Sequence, residues 1–336
     1  MQSAAPVAVI GAGSWGTALA IHLARKGHKV HLWGHRPEHC RELIEVRENK
    51  RYLPGQAFPP QLMVVQELGL ALQACEDILI VVPSHALREV MQQLQPHWRV
   101  EHRLALACKG LEYGSGCLPH EVAQSIMGAQ IPVAAVSGPN FAREVAAGLP
   151  TGVTVAARDE ALALAWAACL HDDCFRAYIS TDIVGVEVGG AAKNVMAIAA
   201  GVADGLHLGA NTRATLITRG LAEIMRLGLA LGGQRETFMG LAGLGDLVLT
   251  CTDDQSRNRR LGLALGQGQS AAQAQIAIGQ VVEGVPAAQA VWQLAQRLGI
   301  EMPITEQVYR VLYEDCEPRQ AVERLLSRHA LKLEHQ

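Results

Sequence analysis

Short apolar runs alternate with amphipathic stretches through the first half of the chain, and then the short runs stop. Val7–Ile10, Val30–Trp33 and Leu62–Val65 are compact runs of strand-forming residues, and residues 77–82 (DILIVV) form the clearest buried strand, halted by Pro83. Residues 103–108, 133–136, 152–156 and 176–179 supply the remaining strand candidates. Residues 15–26 read as a helix ended by Gly27-His28, and another helix opens at about Ser84. Strands that alternate with helices predict an α/β fold with a mostly parallel, doubly wound sheet.

Beyond about Thr181 the strand signal is absent. Thr181 or Asp182 is placed to cap a long apolar helix, and residues 212–231, 285–298 and 318–328 carry the three-to-four-residue apolar repeat of helices. Gly232-Gly233 closes the first of these. The expectation is therefore two domains, residues 1–180 with the sheet and residues 181–336 all-helical.

Composition narrows the class. Apolar residues make up 49% of the chain and charged residues 18%, which allows an extensive core and argues against wholesale disorder. A net charge of -3 gives no global attraction to nucleic acid or anionic lipid, so any basic site is local. The cysteines are scattered, with no C-x-x-C pair and no Cys/His ligand spacing, which reads as reduced thiols in a cytoplasmic protein without a metal site. The first residues lack the basic and apolar regions of a signal peptide. The long apolar stretch 185–201 is rich in glycine and alanine and is broken by Glu187, Lys193 and Asn194, so membrane insertion is a poor reading of it.

The sequence VAVIGAGSWG places Gly11, Gly13 and Gly16 between the first strand and the first helix. In that position the G-x-G-x-x-G spacing is a dinucleotide fingerprint and marks a Rossmann-like domain. The first glycine permits the turn, the second lets the backbone approach a pyrophosphate, and the third lets helix and sheet pack closely. Ser14 and Trp15 lie inside this turn; Trp15 suits either packing or cofactor contact. The second strand runs into Gly34-His35-Arg36, where an acidic residue would bind the ribose hydroxyls of NAD. Arg36 and His35 instead favour the 2′-phosphate of NADP, with NAD as the other cofactor to be considered.

Three further places carry chemistry. Lys109 follows a buried strand, as do Gly138 and Asn140, and ligands of open α/β sheets bind beyond such strand ends. Lys193 is one of only six lysines and sits in the apolar stretch after the sheet. A buried lysine is costly and prone to a lowered pKa, which suits proton transfer near neutrality. Gly189 and Gly190, one turn earlier, leave room for a ligand beside Lys193 and Asn194; alternatively, Glu187 balances the lysine in a purely structural pair. In residues 240–262, Gly243 and Gly245 frame Asp246, and Ser256, Arg257 and Asn258 bring a hydroxyl, a guanidinium and an amide together. That set suits a phosphate monoester, or else Ser256 is simply a helix cap.

In their order along the chain, GAGSWGTALA, SGPNFARE, GAAKN, GLAGLGDLVLTC, SRNRR, VVEGV and GIEMPI resemble the bacterial-type NAD(P)-dependent glycerol-3-phosphate dehydrogenases over essentially the whole sequence. The resemblance implies reversible reduction of dihydroxyacetone phosphate to sn-glycerol 3-phosphate, the backbone precursor of glycerophospholipids. It implies Lys193 as general acid/base, with Lys109 near substrate and nicotinamide. It implies Gly138, Asn140, Asp246, Ser256, Arg257 and Asn258 as substrate contacts, joining Lys193 and Asn194, which the neighbouring glycines already mark as candidate substrate contacts. Ser14, Trp15, His35, Lys109, Ala142, Arg257, Val281 and Glu283 would contact the cofactor. The family commonly has Ser or Thr where this chain has Asn140, and often an aromatic where it has Leu261.

Two other readings compete. A β-hydroxyacid dehydrogenase would share the two-domain plan, but such enzymes typically place asparagine four residues after the helix lysine, where this chain has Ala197. A non-catalytic NADP-binding sensor would not need Lys193, Asp246 and Arg257 together. A helical second domain commonly supplies a dimer surface, so a homodimer is expected, with no nucleic-acid partner.

Overall fold

The computed structural model describes residues 5–327. The chain divides into two compact units. One comprises Met1–Cys108 and Pro119–Ile183, the other Lys109–Leu118 and Val184–Gln336.

The first unit is built on an eight-stranded sheet: β1 (Val7–Ile10), β2 (Val30–Trp33), β3 (Leu62–Val65), β4 (Asp77–Ile80), β5 (Arg103–Leu106), β6 (Val133–Ser137), β7 (Thr151–Ala157) and β8 (Phe175–Ser180). Their order is β3-β2-β1-β4-β5-β6-β7-β8. All neighbours are parallel except β6 and β7, which pair antiparallel with Ala135 opposite Ala156. The doubly wound reading therefore holds. The order reverses between β1 and β4, and the crevice at the carboxyl ends of those strands is where such sheets bind ligands.

Among the described residues, the α-helices of this unit are α1 (Ser14–Arg25), α2 (Pro37–Val46), α3 (Leu68–Gln73), α4 (Leu87–Leu94), α5 (Pro119–Met127), α6 (Ala142–Ala147) and α7 (Glu160–Leu170). Strand β4 ends two residues short of its apolar run, because Val81 and Val82 continue past the ladder. Val81 N–H donates to Ile10 O at 2.8 Å, which brings its backbone against Gly11. The core of the unit includes Val7, Val9, Leu32, Leu79, Ala105 and Val136, all buried, together with α1 and α7 residues such as Leu19 and Trp166.

The second unit is helical: α8 (Ile183–Gly205), α9 (Gly209–Ala230), α10 (Arg235–Met239), a π-helical turn (Leu241–Gly245), α11 (Asp246–Thr252), α12 (Arg257–Gly266), α13 (Ala271–Ile278), α14 (Gly284–Leu298), α15 (Pro303–Tyr313) and α16 (Pro318–Leu326). The expected end of the last helix at Arg328 lies outside the described residues. Helix α8 is long and apolar enough to cross a membrane, yet it is 89% buried over its most apolar window, as the central helix of this core. Its glycines let α12 approach closely: a Cβ on Gly201 would lie 2.1 Å from Arg259 O, and one on Gly205 2.4 Å from Leu263 O. Leu111 and Leu118 pack into the same core, which is why the Lys109–Leu118 segment groups with the helices and not with the sheet that flanks it in sequence.

Candidate active site

On the sheet unit, the turn between β1 and α1 has the shape that a dinucleotide requires. Gly11 has φ +127, and a Cβ there would lie 2.3 Å from Val81 O, so no other residue fits. A Cβ on Gly16 would lie 1.9 Å from Gly11 O, while one on Gly13 would meet nothing within 4 Å, leaving open space above the turn. Helix α1 begins with Gly13 at its N-cap, no side-chain cap and no acidic residue in its first turn, so its N–H groups and positive dipole end are available to an anion. Trp15 Nε1 and Arg36 Nε are buried without hydrogen-bond partners among the described residues. These orphaned donors and the cradled glycines fit a pyrophosphate-bearing cofactor. Ser14 Oγ donates to Tyr52 O at 2.7 Å, so its hydroxyl fixes the neighbouring loop. His35 is exposed, and Arg36 is the N-cap residue of α2 immediately beyond β2.

Gly138 and Asn140 follow β6, and Ala142 begins α6. Asn140 Nδ2 donates both to Thr151 Oγ1 at 2.7 Å and to Gly152 O at 2.9 Å. Its donors are therefore spent on the start of β7, and the group it retains is Oδ1, a buried acceptor with no partner among the described residues.

In the helical unit, Lys193 lies mid-way along α8 and is 6% exposed. Its Nζ donates to Asp246 Oδ1, and to Thr250 Oγ1 at 3.1 Å. Lys109 Nζ donates to the other carboxylate oxygen, Asp246 Oδ2, at 2.9 Å. Asp246 is itself 1% exposed, so one buried carboxylate is shared between two ammonium groups. Thr250, one turn further along α11, donates its single hydroxyl proton to Asp246 O at 2.5 Å and so presents an oxygen lone pair to Lys193. Burial pushes the Lys193 pKa down from the usual lysine range to about 7; Lys109 adds to the depression and Asp246 opposes it.

Local backbone geometry sets this arrangement. The π-helical turn ends at Gly245, directly before Asp246. A Cβ on Gly189, one turn before Lys193, would lie 2.5 Å from Ala242 O within that turn. Contact of helix backbone with turn backbone thus fixes the separation of Lys193 and Asp246, and π turns of this kind are frequent at functional sites.

The phosphate-type cluster connects to the same helix. Asn258 Nδ2 donates to Asn194 Oδ1 at 2.8 Å, and Asn258 Oδ1 accepts from Gly284 N at 2.8 Å. Ser256 is the N-cap of α12, its Oγ accepting from Arg259 N at 3.2 Å, so the capping reading is correct and leaves the hydroxyl proton available. Arg257 makes no hydrogen bond or salt bridge to any described residue; burial lowers its pKa, and Glu283 partly offsets this. Val281 and Glu283 lie in the segment before α14, with Val281 exposed.

The structure thus gathers Lys109, Lys193, Asn194, Asp246, Ser256, Arg257, Asn258, Val281 and Glu283 on the helical unit, and the glycine turn, Ser14, Trp15, His35, Arg36, Gly138, Asn140 and Ala142 on the sheet unit. Two contributors are absent from the sequence reading. Thr250 is signalled only by its i+4 spacing from Asp246. Tyr52 has no motif signal, yet it contacts both Ser14 and Arg36.

Comparison with known proteins decides the family. Residues 6–163 match the model for the N-terminus of NAD-dependent glycerol-3-phosphate dehydrogenase, and residues 182–323 match the model for its C-terminus. The chain belongs to the NAD-dependent glycerol-3-phosphate dehydrogenase family. Among its relatives, it is 54% identical to glycerol-3-phosphate dehydrogenase (NAD(P)+) of Photobacterium profundum, over 98% of this chain and 97% of the relative. It is 55% identical to the enzyme of the same name from Edwardsiella ictaluri, over 96% of each. The crystal structure of glycerol-3-phosphate dehydrogenase from Coxiella burnetii superposes with a TM-score of 0.94 at 51% identity, over 96% of this chain and 99% of that one. The counter-ion that Lys193 meets in this chain is Asp246.

Proposed function

We propose that this protein is a glycerol-3-phosphate dehydrogenase that reduces dihydroxyacetone phosphate to sn-glycerol 3-phosphate with NADPH or NADH, supplying glycerophospholipid synthesis in the cytoplasm as a homodimer. The observation that carries the reading is the buried Lys109–Asp246–Lys193 arrangement, with the Asn194–Asn258 pair and the partly buried Arg257 on the same unit. Family membership and the names of the relatives support the substrate and the use of either dinucleotide.

A bound nicotinamide dinucleotide supplies the hydride to the substrate C2. Protonated Lys193 polarises the C2 oxygen and donates its proton as the alkoxide forms. Asp246 holds the lysine in place, and Lys109 keeps that proton labile by raising the local potential. Ser256, Arg257 and Asn258 hold the phosphate and so orient the ketone. In the oxidative direction neutral Lys193 takes the hydroxyl proton. Reduction is therefore expected to lose kcat/KM as pH rises through about 7, and oxidation to gain it over the same interval. Profiles that run in the same direction for both reactions would remove Lys193 as the proton carrier.

The direct test is spectrophotometric oxidation of NADPH and NADH with dihydroxyacetone phosphate. Turnover is expected with both dinucleotides. Activity on a β-hydroxyacid alone would assign the competing chemistry, and binding without turnover of either substrate would assign a sensor.

A further inference from the structure

We infer that Arg51 and Tyr52 complete the pocket for the 2′-phosphate of NADP, with Arg36, and thereby set the choice between the two dinucleotides. This rests on the reading of the chain as an NAD(P)-dependent dehydrogenase.

Three observations carry it. First, two guanidinium groups are gathered on one aromatic ring. The Arg36 and Arg51 guanidinium carbons lie 5.9 and 5.4 Å from the centroid of Tyr52, and Arg36 Nη2 donates to the Tyr52 hydroxyl at 2.6 Å. Neither arginine forms a salt bridge with any described residue. Two like charges held together without a carboxylate repel each other, and a dianion placed between them turns that repulsion into attraction. Arg36 Nε is also buried without a partner among the described residues, although the cluster is otherwise well bonded.

Second, the cluster stands where the adenosine ribose of a dinucleotide binds. Arg36 is the first helix-capping residue beyond the carboxyl end of β2, and α2 begins with no side-chain cap. Third, the Arg51–Tyr52 segment is fixed to the phosphate turn. Fully buried Asn49 donates from Nδ2 to Ala12 O at 3.0 Å and to Thr17 Oγ1 at 2.8 Å, and its Oδ1 accepts from Tyr52 N at 3.2 Å. Ser14 Oγ donates to Tyr52 O. His39 meets the Tyr52 ring edge-on, with centroids 5.4 Å apart. The distance from glycine turn to arginine pair is therefore set by buried hydrogen bonds, as a site that measures one nucleotide requires.

Tyr52 acts as a positioning residue, and Arg51 contacts the phosphate. The test is calorimetric titration of the full-length protein with adenosine 2′,5′-bisphosphate, 5′-AMP and inorganic phosphate. Arg51 is exposed, so its replacement leaves the core intact. Arg51→Ala is expected to weaken the bisphosphate by about tenfold or more, with 5′-AMP changed less than about twofold. Arg51→Lys should recover part of the loss, and Tyr52→Phe should give a smaller loss of the same selectivity, because it frees Arg36. The NADPH/NADH ratio of kcat/KM should fall in parallel, through KM for NADPH. Equal weakening of the bisphosphate and 5′-AMP, no weakening of either, or inorganic phosphate binding as tightly as the bisphosphate would each overturn the assignment. If the native protein discriminates the bisphosphate but reduces no ketone, the proposed reaction fails while this site stands.

Discussion

Lys193→Met is expected to lower kcat for ketone reduction by roughly 10²–10⁴ while the protein stays folded and still binds dinucleotide. The side chain is 6% exposed in the centre of α8, so methionine replaces a costly buried charge by an apolar chain of similar length. Asp246 keeps a cation, because Lys109 remains at 2.9 Å, and Thr250 keeps its bond to Asp246 O. The structural loss is therefore small, and the loss that remains is the missing proton. The check is steady-state turnover beside a urea melt and a dinucleotide titration. A variant that retains near-native kcat would end the proton-donor assignment.

Asp246→Asn is expected to be more damaging to the fold. It removes the one carboxylate shared by Lys109 and Lys193 and leaves the two ammonium groups facing an amide. Breaking a buried ion pair from one side typically costs about 3–5 kcal/mol. The sign of its pH dependence follows from Lys193. That lysine already titrates lower in the folded than in the unfolded chain, so folding disfavours its charged form. Without Asp246 its folded pKa falls further. The added cost is largest below the native folded value of about 7, where the native lysine is charged, and fades as pH rises through that value, because above it Lys193 is neutral in both proteins. Urea unfolding at pH 6.5 and 9 is expected to show a markedly smaller deficit at the higher pH. An equal deficit at both would mean that the aspartate acts through packing alone. Turnover should fall with stability preserved at pH 9, since the lysine is no longer held in place.

The glycine turn, the strands and α8 are legible in the sequence because each is a local pattern: a spacing of three glycines, short apolar runs, and a long run of small residues. The ends of the strands are not, since the apolar run through Val82 gives no sign that the ladder stops at Ile80. The partner of Lys193 illustrates a deeper limit. Glu187 is close by in sequence, whereas Asp246 is 53 residues away and is brought in by a π-helical turn that no periodicity marks. Glu223 is a similar case. It is 1% exposed and accepts from Ile304 N, Thr305 N and Thr305 Oγ1 at the start of α15, more than 80 residues away in sequence. Residue chemistry suggested which groups were available, and only the tertiary contacts determined how they pair.

The segment Lys109–Leu118 bears on how this family can be taken apart. The chain visits the helical unit once for these ten residues, returns to the sheet, and re-enters it for good at Val184. A fragment cut at that second entry would lack Leu111 and Leu118 from its core and the second cation on Asp246. Chimeras that exchange the nucleotide-binding half between relatives must therefore carry the decapeptide along with the C-terminal half. The two halves are not contiguous cassettes, and recombination at a single crossover would separate the buried Asp246 carboxylate from one of its two lysines.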